Sequence, residues 1–325
     1  MNTNLRKLTW SFLTLLLGMN FLQAQFVDYD PAYYAANDFE LSNLEIPISE
    51  IYPGGENRLG IAQLNQPLYE SATSAQAWLA DDEMVLGIQY NGETKAYPIR
   101  IISWHEVVAE QFGNEKVLVT YAPLTASGQA FATSDFGISA LVYNNNTLLY
   151  DKETRSLWTQ LGGDGVAGQQ AAKKLKQIPV VYTSWGEWKA KFSDTEVLSI
   201  DNGQGIDYSK AAYEKYENTV ELPYPVAFAK KKLPLKSRVV GIEIDGKFKA
   251  YPFSMLMPNT EDFFNGMKIR IQYNEDTHST WVTDEEGTLI PSAVCYWYAW
   301  YAFHSNTKIY GFLPEVTPLA VLNDE

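Results

Sequence analysis

The residues whose types and spacing could support chemistry lie within residues 103–128. Ser103 and Glu106 have the spacing of a capping box, in which each side chain satisfies a backbone N–H of the first helical turn. This pattern predicts a helix over residues 103–112. At the N-terminus of such a helix, His105 could serve as a general base or lie beside a bound anion.

A strand is predicted to follow this helix and to bring the chain back to its start. Residues 116–121 alternate in hydrophobicity, and a ten-residue helix rises roughly 15 Å whereas a six-residue strand covers about 20 Å. The loop 122–128 is therefore expected beside His105, with Thr125 and Ser127 in the same cleft. That cleft would favour an anion or a carboxylate-bearing ligand, and affinity should rise as pH falls from about 8 to 6 because the anion stabilises protonated His105.

One segment of the chain occurs twice. Residues 85–98 recur without a gap at an offset of 154 residues. Asn91-Gly92 and Asp245-Gly246 are dipeptides that tolerate positive φ at both centres of a type I′ turn, so each copy is predicted to be a two-residue β-hairpin. We expect a helix and a strand after each hairpin, which makes two related hairpin, helix and strand units at about 84–131 and 238–283.

The rest of the chain is mainly β in pattern. Alternation on both sides of Asn144-Asn145-Asn146 predicts a further hairpin. We predict an α+β fold, mainly antiparallel β-sheet with a few short helices, in a single domain of residues 25–325. Ser184 and Glu187 repeat the capping-box spacing and predict a helix over residues 185–192 that Ser184 caps. Helices are also expected over 208–216 and 259–265, and a doubly buried strand over 294–303.

The first 24 residues have the pattern of a secretory signal peptide. Residues 4–7 carry the only charges of this segment, residues 8–22 are apolar, and Ala24 is the small residue that a signal peptidase prefers. The apolar run is shorter than the about 20 residues that a membrane helix needs. We predict removal of residues 1–24 and a periplasmic or extracellular protein without a membrane span, the alternative being an uncleaved anchor.

The charge and the cysteine count exclude several classes of partner. The chain has 39 acidic and 25 basic residues and a formal net charge of −14, so it should repel the phosphates of nucleic acids. Cys295 is the only cysteine, so no internal disulfide is possible. A three-histidine zinc site would need every histidine of the chain, and we predict no metal and no cofactor. A small-molecule ligand is the expected partner, and the oligomeric state is not predicted.

Seven short runs carry a resemblance to a known family. They are residues 92–98, 103–106, 119–121, 143–146, 149–151, 156–160 and 300–304. Across roughly residues 51–310 the chain resembles the secreted bacterial family catalogued as domain of unknown function 3179. Members of that family typically contain T-Y-C-P-L-C-G-T, where this chain has T-Y-A-P-L-T-A-S from Thr120. The cysteine pair, which would suit a soft metal or dithiol redox chemistry, is therefore absent.

The resemblance implies a polar pocket for a small ligand. We predict non-catalytic binding of a polar or anionic molecule. The alternatives are an enzyme that uses His105 as a general base, and a degenerate metal or thiol-redox protein. The residues expected to line the pocket are His105, Tyr121, Thr125, Ser127, Asn144, Asn146, Asp151, Trp158, Gln160 and His304.

Cleavage of the signal peptide after Ala24 gives a direct test of export. N-terminal sequencing of the protein from its native source should begin at Gln25, because Ala24 completes the cleavage pattern. Recovery of a chain that begins at Met1 from a membrane fraction would contradict this prediction.

Overall fold

The computed structural model describes residues 39–54, 60–133, 135–228 and 232–312. The predicted signal peptide, residues 1–24, lies outside these described residues. They form four β-sheets and a few short helices, and the strand pairs are mostly antiparallel, as predicted. No helix in this part of the chain has the length and apolarity to cross a membrane.

The strands pair in four sheets, which we call A to D. Sheet A has the strand order β1-β8-β9-β10-β11, sheet B has β12-β7-β6-β5, sheet C has β17-β18-β19-β13-β3-β4-β14-β2, and sheet D has β20-β15-β16-β21. In chain order, the strands are β1 (Ile51–Pro53), β2 (Tyr69–Ser71), β3 (Met84–Tyr90), β4 (Glu93–Pro98), β5 (Val107–Phe112), β6 (Glu115–Ala122), β7 (Ser127–Phe131), β8 (Phe136–Tyr143), β9 (Asn146–Asp151), β10 (Leu157–Thr159), β11 (Gly165–Ala167), β12 (Gln177–Ile178), β13 (Val181–Ser184), β14 (Glu196–Leu198), β15 (Arg238–Ile244), β16 (Lys247–Pro252), β17 (Asn259–Phe264), β18 (Met267–Tyr273), β19 (Thr280–Thr283), β20 (Ser292–Tyr296) and β21 (Lys308–Ile309).

The helices are short and connect strands. In chain order, they are α1 (Ala72–Ala75), α2 (Ile99–His105), α3 (Trp185–Lys191), α4 (Glu214–Glu217) and α5 (Trp297–Phe303), with 3-10 turns at Ile48–Glu50 and Phe253–Met255. The cap predicted for α3 is confirmed, because the Ser184 hydroxyl accepts a hydrogen bond from the Glu187 N–H at 3.3 Å.

Both predicted two-residue hairpins are confirmed. In the β3–β4 turn, Asn91 and Gly92 have φ values of 49° and 81°. In the β15–β16 turn, Asp245 and Gly246 have φ values of 48° and 70°. Each pair occupies the left-handed region that a type I′ turn requires. The first hairpin belongs to sheet C and the second to sheet D.

The helix predicted over residues 103–112 is wrong. Helix α2 ends at His105, and Glu106 follows it in the left-handed conformation with φ 57°. Residues 107–112 form β5, which pairs with β6 from Val107 opposite Thr120 onward. The capping-box spacing misled the prediction because a cap contributes only about 1 kcal/mol, whereas the long β5–β6 ladder sets the conformation of these residues.

Three further predicted elements differ from the structure. Residues 259–265 were predicted as a helix but lie mainly in β17, paired with β18. Within 208–216 the structure has only the first residues of the single-turn helix α4. The apolar run 294–303 was predicted as one strand but divides into β20 and α5. A run that is apolar on every side has no periodicity, so sequence alone does not distinguish a buried strand from a buried helix.

A buried lysine–carboxylate contact joins sheet C to sheet B. Lys95 Nζ on β4 lies 3.0 Å from Glu110 Oε1 on β5, and the Tyr97 hydroxyl donates to Glu110 Oε2 at 2.9 Å. The charged side chains are only 7% and 5% exposed. Burial raises the pKa of Glu110 to about 7 and lowers the pKa of Lys95. Each charge therefore needs the other to be tolerated in the interior.

The second hairpin makes a contact of the same kind. Lys249 on β16 of sheet D pairs with Asp262 on β17 of sheet C, and the Tyr251 hydroxyl donates to the same carboxylate at 2.8 Å. In both places a short helical segment separates the two strands, α2 in the first case and the 3-10 turn Phe253–Met255 in the second. The contact thus forms where the chain leaves one sheet and enters another.

A tryptophan packs on a glycine of each hairpin. Trp188 of α3 covers Gly87 on β3, and Trp300 of α5 covers Gly241 on β15. A Cβ atom added at either glycine would lie 2.2 Å from the indole ring. Only glycine allows this approach, so both positions require the absence of a side chain.

Loss of the buried lysine should be far more costly than loss of an exposed one. Lys95→Met removes the partner of a buried carboxylate and should lower the free energy of unfolding by about 3–5 kcal/mol. The matched control is Lys116→Met, whose ion pair with Asp135 is exposed and should contribute about 0–1 kcal/mol. Urea denaturation of both variants measures the difference, and equal effects would show that the Lys95 contact does not hold the sheets together.

Candidate functional site

The turn between β6 and β7 carries a cluster of buried polar side chains. The hydroxyls of Thr125, in the turn, and Ser127, at the start of β7, lie 2.8 Å apart. Asn146 at the start of β9 donates to Thr125 Oγ1 and to Gln160 Oε1, both at 2.9 Å. The structure therefore brings together four of the predicted pocket residues, and we call Thr125, Ser127, Asn146 and Gln160 the turn network.

Gln160 holds the turn network to the neighbouring strands. Its Nε2 donates to Thr120 Oγ1 and to the Ser127 carbonyl, both at 3.0 Å, while its Oε1 accepts from Ser127 Oγ at 2.8 Å. The four network residues are at most 1% exposed. Because buried polar groups are stable only when they are paired, these mutual bonds stabilise the turn, and the engaged atoms are not free for a ligand.

The two family cysteine positions lie at the ends of this turn. The Ala126 N–H donates to the Pro123 carbonyl at 3.1 Å, which closes the turn. Thr125 Oγ1 also donates to the Ala122 carbonyl at 3.2 Å. Where relatives would have two thiols, this chain has a methyl group at Ala122 and a hydroxyl of the turn network at Thr125.

Glu106 is a buried carboxylate that sequence reasoning assigned to a helix cap. It is 1% exposed and accepts hydrogen bonds from Thr147 Oγ1 at 2.7 Å and from the Tyr213 hydroxyl at 3.0 Å. Its carbonyl accepts the Tyr121 N–H at 2.9 Å. Since Thr147 follows Asn146 in β9, this carboxylate contacts a strand that also carries a residue of the turn network.

His105 occupies a different environment from the one predicted. It ends α2 and is fully buried, with Nδ1 2.6 Å from the Ala62 carbonyl and Nε2 2.5 Å from the Tyr208 hydroxyl. Burial lowers its pKa, although the Ala62 carbonyl acts in the opposite direction. The predicted helix N-terminus at His105 is therefore wrong. The predicted cleft with Thr125 and Ser127, and the predicted pH dependence of its ligand affinity, both relied on that helix terminus and no longer have support.

The other predicted residues lie in separate places. Asp151 accepts a hydrogen bond from Trp158 Nε1 at 3.0 Å within sheet A. His304 stacks on Phe248 with ring centroids 4.0 Å apart, and burial, followed by the charge of Lys174, lowers its pKa to about 3. These contacts are those of packed interior side chains, and none joins the turn network.

Asn144 also lies apart from Asn146, although only one residue separates them. The confirmed β8–β9 hairpin places Asn144 and Asn145 in its two-residue turn, with φ values of 53° and 59°. The Asn144 side-chain oxygen accepts the Ala227 N–H at 2.7 Å. Its amide therefore faces the segment around Ala227 rather than the turn network.

A guanidinium lies on the other side of the β6–β7 turn. Arg238 at the start of β15 donates from one terminal nitrogen to the Ala126 carbonyl at 3.1 Å. Its central carbon lies 5.0 Å from the ring centre of Tyr296 and 5.5 Å from that of Tyr182. Tyr121, a predicted pocket residue, is close enough that Arg238 opposes the rise that burial causes in its pKa. We call Arg238, Tyr121, Tyr182 and Tyr296 the guanidinium cage.

The guanidinium cage has unused hydrogen-bonding capacity. Within the described residues, no carboxylate lies at ion-pair distance from Arg238, and the three tyrosine hydroxyls have no hydrogen-bond partner. Arginine has five N–H donors, of which the Ala126 carbonyl occupies one. In the same part of the chain no group of three His, Cys, Asp or Glu side chains could hold a metal ion. The cage is suited to a negatively charged oxygen ligand.

Sequence reasoning missed Arg238, Tyr182 and Tyr296. A signal for Arg238 was present in the repeat, because the offset of 154 residues aligns it with Met84. A charged residue in one copy, where the other copy has an apolar one, indicates a special role in a buried strand. No comparable signal marked the two tyrosines, which are common residues in strands.

Comparison with known proteins agrees with the family resemblance. A family model described as "Protein of unknown function (DUF3179)" matches residues 58–307. This span includes the turn network and the guanidinium cage. No curated protein and no solved structure matches the chain.

Replacement of Gln160 should destabilise the protein because several buried groups would lose their partners. Gln160→Ala should lower the free energy of unfolding by at least about 2 kcal/mol, since each buried group left unsatisfied costs about 1–3 kcal/mol. Gln111→Ala removes the same side chain from an exposed position and should change stability by less than about 0.5 kcal/mol. Denaturant unfolding compares the two, and a neutral Gln160→Ala would refute the stabilising role of the turn network.

Proposed function

We propose that this chain, which belongs to the family described as protein of unknown function (DUF3179), is an exported, non-catalytic protein that binds a small oxyanion. The proposed site is the guanidinium cage. The observation that carries the proposal is the half-buried guanidinium of Arg238, which has no carboxylate partner within the described residues and lies beside the rings of Tyr182 and Tyr296.

Two lysines that are buried or half-buried differ from Arg238 because each has a carboxylate partner. Lys95 pairs with Glu110, and Lys249 pairs with Asp262. A charge removed from water is stable only with a counter-charge or an equivalent set of hydrogen bonds. For Arg238 a bound anion would supply that counter-charge.

The donors of the guanidinium cage suit carboxylate or phosphate oxygens. The planar guanidinium presents parallel N–H groups that bind two oxygens at once. Burial raises the pKa of Tyr121 and of Tyr296, and Arg238 acts against the rise in both. A phenol with the ordinary pKa of about 10 is already protonated at neutral pH, so these hydroxyls are available as donors to the anion.

The acidic composition restricts the ligand to a small one. With a formal net charge of −14, the protein repels extended polyanions. A small anion needs only the local field of Arg238, whereas a nucleic acid would meet the repulsion of the whole surface. We therefore propose a metabolite-sized carboxylate or phosphate compound.

We further propose that the two hairpins belong to related units, which extend beyond the predicted bounds of about 84–131 and 238–283. Each hairpin pairs with an antiparallel strand, β13 or β20, that leads through a helix to a parallel partner, β14 or β21. The tryptophans on these helices donate from Nε1 to a threonine at 2.9 Å, Trp188 to Thr195 and Trp300 to Thr307. The predicted helix in each unit is replaced by a short helical segment and a second hairpin.

The guanidinium cage lies where these units meet. Tyr121 and Tyr182 come from β6 and β13 of the first unit, and Arg238 and Tyr296 come from β15 and β20 of the second. Binding sites are common between packed units, because neither unit has to bury every polar group at the boundary.

The geometry favours neither an enzyme that uses His105 as a general base nor a degenerate metal or thiol-redox protein. Both ring nitrogens of His105 are engaged and its side chain is buried, so it does not reach a substrate as a base. Cys295 is buried, and burial raises its pKa to about 12, which keeps the thiol protonated and unreactive. Export rests on the pattern of residues 1–24 and is proposed on that ground alone.

The proposal predicts that anion binding depends on Arg238. Isothermal titration of the mature protein with inorganic phosphate, sulfate and succinate should detect binding of at least one of them. Arg238→Met keeps an unbranched side chain but removes the charged donors, and should weaken binding about tenfold or more, since a charged hydrogen bond contributes about 1.5–3 kcal/mol. Arg238→Lys keeps the charge but not the paired donors, so its anion affinity should lie between that of the natural protein and that of Arg238→Met.

The matched control is Arg270→Met, which removes a guanidinium already paired with Glu261 at 2.9 Å. It should leave anion affinity unchanged. Thermal unfolding of each variant verifies the fold. The proposal is wrong if none of the three anions binds, or if Arg238→Met binds them as tightly as the natural protein.

A further inference from the structure

A cavity lies beside the β8–β9 turn, at Asn144. Its volume is about 300 Å³, and its walls are Ser49, Glu50, Tyr52, Asn144 and residues 225–227. Ligand pockets in proteins measure about 300–1,000 Å³, so this one is large enough for a small molecule. A single water occupies about 30 Å³ of liquid, which is a tenth of this volume.

Asn144 gives this cavity a buried hydrogen-bond donor without a partner. The side chain is 1% exposed, and its oxygen accepts the Ala227 N–H at 2.7 Å. Its Nδ2 has no hydrogen-bond partner within the described residues. Burial raises the pKa of the adjacent Tyr143, Glu50 raises it further, and the Asn144 side chain lowers it. The Asn144 amide is therefore close to the Tyr143 hydroxyl, but the geometry between them is not that of a hydrogen bond.

The next residue shows that the missing partner is specific to Asn144. Asn145 Nδ2 donates to the Tyr224 carbonyl at 2.7 Å, and its oxygen accepts the Tyr224 N–H at 3.0 Å. Two neighbouring amides in the same turn therefore hold the same segment of chain, and only one leaves a donor unused. An unpaired buried donor costs about 1–3 kcal/mol, a cost that a bound acceptor would remove.

Glu50 supplies the complementary group. It ends the 3-10 turn Ile48–Glu50, and within the described residues its carboxylate has neither a hydrogen bond nor an ion pair. Its charge acts inside the cavity, because it adds to the rise that burial causes in the pKa of Tyr52. Tyr52 is the aromatic side chain of the cavity lining, and it stacks on Tyr224 with ring centroids 5.7 Å apart.

We propose that this cavity binds a neutral, hydroxyl-rich ligand of monosaccharide size. Sugar hydroxyls both accept and donate, so one ligand can take the hydrogen bond of Asn144 Nδ2 and give one to Glu50. An anion is disfavoured by the carboxylate, and an apolar ligand would leave Asn144 unpaired. An aromatic wall beside polar groups suits the apolar face of a sugar ring.

This site is separate from the guanidinium cage in position and in chemistry. The cage presents the cation of Arg238 and selects for negative charge, whereas the cavity presents the carboxylate of Glu50 and excludes it. If the guanidinium cage binds no anion, the proposal that the cavity binds a sugar is unaffected, and the reverse is also true.

The experiment is saturation-transfer NMR on the mature chain with D-glucose, D-galactose and N-acetyl-D-glucosamine as probes, each at millimolar concentration. At least one sugar should give a transfer signal. Asn144→Gly removes the amide at a left-handed position that glycine tolerates, and Glu50→Ala removes the carboxylate without touching the turn. Each should reduce sugar affinity about fivefold or more, in keeping with the loss of one hydrogen bond.

Two control variants test whether a change in the sugar signal is specific to the cavity. Asn43→Gly makes the same substitution at an exposed residue with φ 50° and should leave the signal unchanged, as should Arg238→Met. Thermal unfolding shows whether Asn144→Gly is folded, and Glu50→Ala decides the question if it is not. The proposal is overturned if no sugar gives a signal, which would mean that the cavity holds water only, or if both cavity variants bind as the natural protein does.

Discussion

Two lysine–carboxylate contacts connect the sheets, one buried and one half-buried, and the rest of the architecture depends on them. Lys95 binds Glu110 where the chain passes from sheet C to sheet B, and Lys249 binds Asp262 where it passes from sheet D to sheet C. Because a buried charge without its partner is strongly destabilising, each contact fixes the position of one sheet against the next. Sheet C takes strands from both passages, and β13 within it pairs with β3 and with β19. The β6–β7 turn and the strands of the guanidinium cage are placed by this arrangement.

Arg238 differs from these lysines in one respect that bears on function. It stands at the edge of the second hairpin with aromatic rings on two sides, yet the described residues offer it no carboxylate. A protein with 39 acidic residues has ample means to neutralise a guanidinium internally. The absence of that pairing at Arg238, beside tyrosines whose hydroxyls are unused, is the reason for assigning the anion site to this cage rather than to the saturated turn network.

The β8–β9 turn shows how neighbouring residues of one type acquire different roles. Asn146 faces the turn network and bonds to Thr125 and Gln160. Asn145 is saturated by both backbone groups of Tyr224. The Asn144 oxygen accepts one hydrogen bond from Ala227, and its amide nitrogen has no partner within the described residues. The turn geometry sends the three side chains in different directions, so the surroundings of each, and not its type, determine what it can bind.

The sequence by itself determined the features that depend on one or two adjacent residues. The Asn91-Gly92 and Asp245-Gly246 turns and the Ser184 cap were predictable because φ preference and a cap bond act locally. Helix and strand geometry placed Thr125 and Ser127 in one cleft, and the family resemblance added Asn146 and Gln160 to the predicted pocket. Only the tertiary structure decided that residues 107–112 form a strand, that His105 ends a helix, and that Arg238 meets three tyrosines. Those outcomes depend on ladders and contacts between segments far apart in the chain, whose energies exceed the local signals, and no local pattern records which distant segment will be the partner.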